Sequence, residues 1–283
     1  MSLGVLNNIA SIYAQNNLNQ TQGSLQNTLT QLSSGSRINS GADDAAGLAV
    51  ANGLQANIAA LSQSSQNAQA GVGLLQTADG ALSQVTNLLN RAVTLATEAS
   101  NGTLTTGQAA SADAEFQKIV TEIGNIGSST NFNSTAVFSA TAKSIFVSDG
   151  TSGGSTTFSD TVGALTSGGV GTTTAGAAGQ SLSADVLTST SAAATALTDV
   201  TTAIADVANQ RGAIGANINE LNAASNVASS ESVNLTSAES SIMSTNYGQA
   251  TSDLAKYQVL SQTGIAALAQ ANSVQQEVLK LLQ

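Results

Sequence analysis

From Leu54 to Ala96 the chain returns to one stripe at alternating four- and three-residue steps. The positions are Leu54, Ile58, Leu61, Ser65, Ala68, Val72, Leu75, Asp79, Leu82, Thr86, Leu89, Val93 and Ala96. A repeat of 3.5 residues, sustained over about six heptads, specifies a helix that buries one side against other helices. Ser65, Asp79 and Thr86 are polar defects in the stripe, partly covered by Val85 and Leu88. The 283 residues include no proline, so nothing rigid interrupts a long helix. Asn101-Gly102 and Gly107 end it. A shorter helix follows, with Phe116, Ile119, Ile123 and Ile126 on one side and Gly124 and Gly127 closing it. The same stepping returns at Leu197, Val200, Ile204, Val207, Arg211, Ile214, Ile218 and Leu221, and continues less regularly through Val227, Val233, Leu235 and Ile242. The fold class expected is therefore mainly α. It is a long antiparallel α-helical coiled-coil rod or bundle, with a small β-hairpin region in the middle of the chain.

The two ends differ from these seams in charge. Residues 1 to 36 contain no Asp, Glu, Lys or Arg. The last forty residues, which read as one helix weakened only by Gly248 and Gly264, carry Asp253, Lys256, Glu277 and Lys280, which cancel. Leu3, Leu6, Ala10, Tyr13, Leu18, Leu25, Leu29 and Leu32 supply the apolar side of the first segment. Leu254, Tyr257, Leu260, Ile265, Leu268, Val278, Leu279 and Leu282 supply that of the last, with Val259, Val274 and Leu281 widening it. Such a face covers roughly two thirds of the circumference, more than one partner helix can shelter. Apolar surface without solubilising charge invites association, and this predicts an interface between copies of the chain. The alternative from the same residues is an intramolecular helical hairpin at the centre of a bundle.

The connections read as follows. Gly35, Gly41 and the polar residues between them mark a loop, after which Ser40, Asp43 and Asp44 can cap or charge-match the next helix. Residues 128 to 190 lose helical periodicity and are rich in Ser, Thr and Gly. Within them SIFV (144–147) and STTF (155–158) flank DGTSGG, the pattern of a short hairpin. Beyond Asp160 little is available to pack, which predicts an exposed loop or a poorly ordered insertion.

Composition removes several function classes. With no histidine and no cysteine, imidazole base catalysis, thiolate nucleophiles and the usual nitrogen and sulfur metal ligands are absent. The net charge of −10 and the lack of a basic cluster argue against a nucleic-acid surface. No apolar run approaches bilayer-spanning length, and the first residues show no secretory signal pattern. Asp43-Asp44 suits a helix start better than acid–base work, and GVG at 71–73 sits in a seam helix as a packing site and not as a phosphate cradle. No catalytic, cofactor-binding or metal site is called for, and the expectation is a protein that is not an enzyme. The triplets beginning at Asn101, Asn133 and Asn234 have the form of glycosylation acceptors. Ser/Thr glycosylation of 148–190 is expected only as far as exposure and composition permit.

Several segments together resemble bacterial flagellins. They are LSSGSRINSGADDAAGLAVANGLQANIAAL (32–61), AQAGVGLLQTADGALSQV (68–85), RGAIGANINEL (211–221), NLTSAESSI (234–242) and ALAQANSVQQEVLKLL (267–282). They stand in family order, and the resemblance covers roughly residues 1–135 and 190–283. It implies terminal helices, 1–42 and 243–283, paired as an inner coiled coil. Around them it implies an outer helical bundle, 43–135 and 186–242. Residues 136–185 would then be a β-hairpin with a surface loop, and no large outer domain. The function implied is a subunit that polymerises through its ends into the flagellar filament used for swimming, exported without signal cleavage and located outside the cell. A hook–filament junction protein, and a secreted adhesin or immune ligand, are the alternatives. The family's partners are further copies, the flagellar type III export apparatus, an export chaperone, and the filament cap and junction proteins. Toll-like receptor 5 is another, and Arg91, Leu95 and Glu115 match the residues it contacts. Val93 and Thr94 depart from the Arg-Glu pair of strongly stimulating members. Read without the family, Arg91 and Glu115 form an ordinary ion pair between helices.

Overall fold

The computed structural model of the protein describes residues 8–139, 141, 143–148, 155–160, 162–172 and 178–281. Among them run five helices: α1 (Ile9–Ser34), α2 (Ala45–Ser100), α3 (Thr106–Ser129), α4 (Thr190–Met243) and α5 (Tyr247–Leu281). Three antiparallel strand pairs lie between α3 and α4. They are β1 (Asn131–Phe132) with β2 (Thr135–Ala136), β3 (Lys143–Ser148) with β4 (Ser155–Asp160), and β5 (Val170–Thr172) with β6 (Ala178–Gln180). The fold is mainly α with small antiparallel strand pairs in the middle, as the periodicity predicts. The chain divides into two compact units, one joining residues up to Ala56 with those from Asn234 onward, the other spanning Asn57–Val233.

In the Asn57–Val233 unit, the buried line of α2 is a strict heptad stripe through Leu61, Ser64, Ala68, Gly71, Leu75, Ala78, Leu82, Val85, Leu89, Ala92, Ala96 and Ala99. Half of the expected seam is thus correct, and half lies one residue off. Ser65, Val72, Asp79, Thr86 and Val93 flank the line at intermediate exposure, and Ser64, Gly71, Ala78, Val85 and Ala92 occupy it. The same shift occurs on α4. Val200, Val207, Ile214 and Leu221 are buried as expected, but Ala196, Ala203 and Gln210 replace Leu197, Ile204 and Arg211. Val227 and Val233 face outward, and Ser225 and Ala228 take the inner positions. Helix axes approach closely only where the side chains between them are small, so Ala, Gly and Ser share the central line with Leu and Val, and Val72, Val93, Leu197 and Ile204 beside the small residues fall on the flanks.

The hairpin β3/β4 pairs Ile145 with Phe158 and Ser148 with Ser155, as the flanked DGTSGG segment predicts. It docks on positions of α2 that the stripe leaves small or polar. Ser148 N–H donates to Ser64 Oγ at 2.7 Å, and Asn67 Nδ2 donates to the Phe146 carbonyl at 3.1 Å. Ile145 Cδ1 occupies the space a Cβ on Gly71 would need. The GVG glycine is therefore a packing site. The tight β1/β2 turn, at Asn133 and Ser134 with positive φ, has no counterpart in the sequence pattern.

Two expectations are corrected in this unit. Gly124 and Gly127 do not close α3, which continues to Ser129. Instead, the missing side chain of Gly127 admits the Leu165 carbonyl against the helix. Where described, the segment beyond Asp160 is not an exposed loop. Val162, Leu165, Val170, Leu182 and Leu187 are buried in the same core as α2, α3 and α4. Hydrogen bonds from backbone and side chains of α3 and of the segment itself hold what a low-hydrophobicity sequence could not suggest. Leu182 N–H donates to the Ser167 carbonyl at 3.1 Å, Gln117 Nε2 to the Asp185 carbonyl at 2.6 Å, and Leu187 N–H to Asp113 Oδ1 at 2.7 Å.

Candidate assembly surface

The other unit is built on α1 and α5, which lie antiparallel against each other. Asn8 serves two purposes at the start of α1. Its Oδ1 caps the helix by accepting from Ser11 N–H at 3.0 Å, and its Nδ2 donates to the Ala271 carbonyl of α5 at 2.9 Å. At the far end, Gly35 ends α1 in the left-handed conformation, with φ of 72°. A Cβ there would also meet Tyr247 Oη of α5 at 2.8 Å. The connections after α1 and before α5 are bonded together. Arg37 N–H donates to the Met243 carbonyl, Thr245 N–H to the Gly35 carbonyl at 3.1 Å, and Arg37 Nη2 to the Ile242 carbonyl at 2.9 Å. The first charged residue of the chain thus covers the open carbonyl end of α4, where a cation is favoured.

The acidic loop residues divide their work. Asp44 Oδ1 caps α2 by accepting from Gly47 N–H at 2.8 Å. Asp43 does not reach the helix. It accepts from Asn39 N–H, Ser40 N–H and Ser40 Oγ, closing its own loop. The first two bonds hold its carboxyl below the usual aspartate range. Ser40 belongs to this loop and not to the cap.

Between α1 and α5 the contact line again steps by three and four. On α1 it passes through Ala14, Leu18, Thr21, Leu25, Thr28 and Leu32, on α5 through Ala250, Leu254, Tyr257, Ser261, Gly264, Leu268 and Ala271. Leu18 Cδ1 lies 3.3 Å from where a Gly264 Cβ would stand, so this glycine permits the approach. The apolar residues expected from sequence to make the assembly surface therefore separate into groups. Leu18, Leu25, Leu32, Leu254, Tyr257 and Leu268 are half-buried along the helix pair. Tyr13, Leu29, Leu260 and Ile265 are exposed, Tyr13 by 67% and Ile265 by 55%. Leu3, Leu6 and Leu282 lie outside the described residues, as does the side chain of Val278. The structure adds Ile9 and Ile12, exposed by 63% and 54%, to the outward set. Their spacing with Tyr13 (i, i+3, i+4) was the available signal. Val259 and Val274, noted as widening the α5 face, are exposed as well. Pairing α1 with α5 leaves a large apolar surface uncovered on both helices.

In the Asn57–Val233 unit, Arg91 on α2 and Glu115 on α3 form a two-bonded ion pair, Nε–Oε1 at 2.7 Å and Nη2–Oε2 at 3.1 Å. The Arg91 bond holds the Glu115 carboxyl below its ordinary range. Both side chains are half exposed and border a cleft of about 460 Å³ that also touches Glu98, Leu104 and Gln108. Leu95 does not share their exposure. It also lines the cleft, but it is 3% exposed and belongs to the core, so what is exposed here is chiefly the ion pair.

No helix among the described residues is long and apolar enough to cross a membrane. The family models for the bacterial flagellin N-terminal helical region and C-terminal helical region match residues 5–143 and 197–282. Flagellin 1 of Proteus mirabilis is 40% identical over 144 residues, 51% of this chain and 40% of its own length. Phase 1 flagellin of Salmonella naestved is 43% identical over 132 residues, 47% of this chain and 26% of its own. The matches thus span less than half the length of these relatives. A solved flagellin from Bacillus cereus is 29% identical, covering 57% of this chain and 88% of that one, with a TM-score of 0.46. Two family models in chain order, matching the helices that frame the strand-bearing middle, place the chain in the bacterial flagellin family, a family of structural proteins.

Proposed function

We propose that this chain is a structural subunit that polymerises through α1 and α5 into an extracellular flagellar filament used for swimming, and that it catalyses no reaction. The observation that carries the reading is the outward apolar face of the α1/α5 pair, on segments that hold almost no charge. Burying it against sister chains gains about 25 cal/mol per Å² of apolar surface, and the scarcity of charge keeps the desolvation cost low. In this reading the terminal helices form an inner tube, residues 43–135 and 186–242 a surrounding shell, and 136–185 its outer surface. The reading extends to export through the flagellar apparatus with a chaperone and to contact with cap and junction proteins, on the model of the family. Toll-like receptor 5 would meet the Arg91–Glu115 pair, with Leu95 supporting it from beneath.

Negative-stain microscopy of the purified chain tests the proposal. Long fibres are expected, and deleting Ser273 to Gln283 should abolish them while leaving the Asn57–Val233 unit folded by circular dichroism. Monomers under all conditions, or normal fibres from the truncated chain, would count against it.

A further inference from the structure

The sequence holds two Asn-Gly pairs, and the fold places them in opposite environments. Asn52–Gly53 lies inside α2, where the Gly53 N–H belongs to the helical ladder. Asn101–Gly102 lies in the turn between α2 and α3, with both residues exposed. Gly102 there is left-handed, with φ of 70°. It faces Thr190 at the start of α4, whose Cγ2 would lie 3.3 Å from a Cβ.

We propose that the Asn101–Gly102 turn is a site of spontaneous covalent modification, at which asparagine converts to aspartate and isoaspartate without an enzyme. The chemistry needs only the two residues and water. The Gly102 backbone nitrogen attacks Asn101 Cγ. An N–Cγ bond forms, the Cγ–Nδ2 bond breaks, and ammonia leaves with the proton that the Gly102 amide gives up. The product is a five-membered succinimide. Water then adds to one of its two carbonyls and opens the ring, giving aspartate or, when the main-chain carbonyl is attacked, isoaspartate. No electrons are gained or lost. Glycine suits the attacking position because no side chain hinders its nitrogen and its backbone reaches ring-forming conformations freely.

Attack requires the backbone to leave its resting geometry. A turn does so at almost no cost, whereas a helix interior must first open locally. Asn52 and Asn101 are both exposed, so the difference between the sites is one of backbone and not of access to water. The product puts a carboxylate at the negative end of the α2 dipole, three residues after Glu98, and both relationships are repulsive. A chain that carries the change therefore holds the α2–α3 turn and its contact with Thr190 less firmly. This inference concerns the folded protomer and stands independently of the filament reading.

The test is to age the purified full-length chain at near-neutral pH and map its peptides by mass spectrometry. The change of amide to acid adds about 1 Da, and isoaspartate is identified with an isoaspartyl methyltransferase. Modification is expected at Asn101 on the order of tenfold faster than at Asn52, reflecting the cost of local helix opening. In urea that unfolds the chain the two rates should converge. Asn101→Gln, whose side chain would have to close a larger ring, should lose the signal from that peptide. Equal rates at the two sites in the folded chain would overturn the proposal. So would a tenfold gap that persists in urea, or a mass gain that survives in N101Q.

Discussion

Arg211 of α4 reaches Asp79 of α2 with two parallel bonds, Nε to Oδ1 at 2.7 Å and Nη2 to Oδ2 at 3.2 Å. Each residue is a misfit when its own helix is read alone, a charge set in an apolar stripe. Together they sit beside the buried line, with side chains about 40% exposed, and link α2 with α4, two of the three helices that share the core.

That exposure sets the size of the first prediction. A solvent-screened pair contributes about 0.2–1 kcal/mol even with good geometry. Asp79→Asn and Arg211→Gln should each lower unfolding stability by an amount in that range, measured by urea denaturation. In a double-mutant cycle the coupling should be about 0.5 kcal/mol and should shrink in high salt. A coupling of several kcal/mol would mean that the pair is far more enclosed than its exposure indicates.

Glycines provide a second prediction, because the same substitution should change sign with position. Gly212 lies in α4 with nothing within 4 Å of a built Cβ, so Gly212→Ala should stabilise by about 1 kcal/mol through helix propensity. At Gly127 an added Cβ meets the backbone carbonyl of Leu165, which cannot swing aside as a side chain can. Gly127→Ala should therefore lose about 1–3 kcal/mol to overpacking. The measurement is the urea midpoint of each single variant.

These positions also show what the sequence made legible. Helix existence and span follow from periodicity, and the 54–96 stripe did foretell α2. Its phase is harder to read, because judging by hydrophobicity favours Val72 over Gly71, Val93 over Ala92 and Ile204 over Ala203. The structure buries the smaller residue each time, since interhelical spacing and not side-chain greasiness decides which line lies between axes. The middle of the chain is hard to read for a related reason. Val162, Leu165, Val170, Leu182 and Leu187 are too scattered to show a period, and their burial depends on α2, α3 and α4 being assembled already. At the candidate surface, the apolar residues of α1 and α5 were legible. Their division into an inward line and an outward face was not, because that needs the angular position of the partner helix.

Acid should stabilise one corner of the molecule. Burial raises the Asp185 carboxyl to about 6, with help from the charge and hydrogen bond of nearby Asp199, and its Oδ2 is buried without a donor. The folded value lies above the ordinary aspartate value of 3.8, so between the two the folded chain takes up a proton that the unfolded chain does not. Stability should rise as pH falls from above 6 toward 4 and gain nothing further from this group below that. Asp43 and Glu115, both lowered in the fold, act in the opposite direction at still lower pH. Asp185→Asn isolates the effect. Its Tm should exceed that of the parent at about pH 7.5, and the difference should shrink by about pH 4.5. An advantage independent of pH would point to packing and not to charge.

The two classes of apolar residue on the terminal helices should fail in different ways. Leu18 is half-buried against Gly264, and truncation to Ala removes contact within the α1/α5 pair. A fully buried leucine costs about 2–5 kcal/mol, so Leu18→Ala should cost about half of that, seen as faster proteolysis of the terminal helices. Ile265 is 55% exposed on the isolated protomer, and Ile265→Ser should alter protomer stability by no more than about 0.5 kcal/mol. If sister chains cover that face, each lost Ile265 contact recurs at every subunit of the polymer. The critical concentration for fibre growth should then rise by about tenfold for each 1.4 kcal/mol of lost burial. Light scattering during polymerisation gives that concentration directly. An Ile265→Ser chain that polymerises as readily as its parent would show that this face stays in solvent, and the outward residues would then need a different partner.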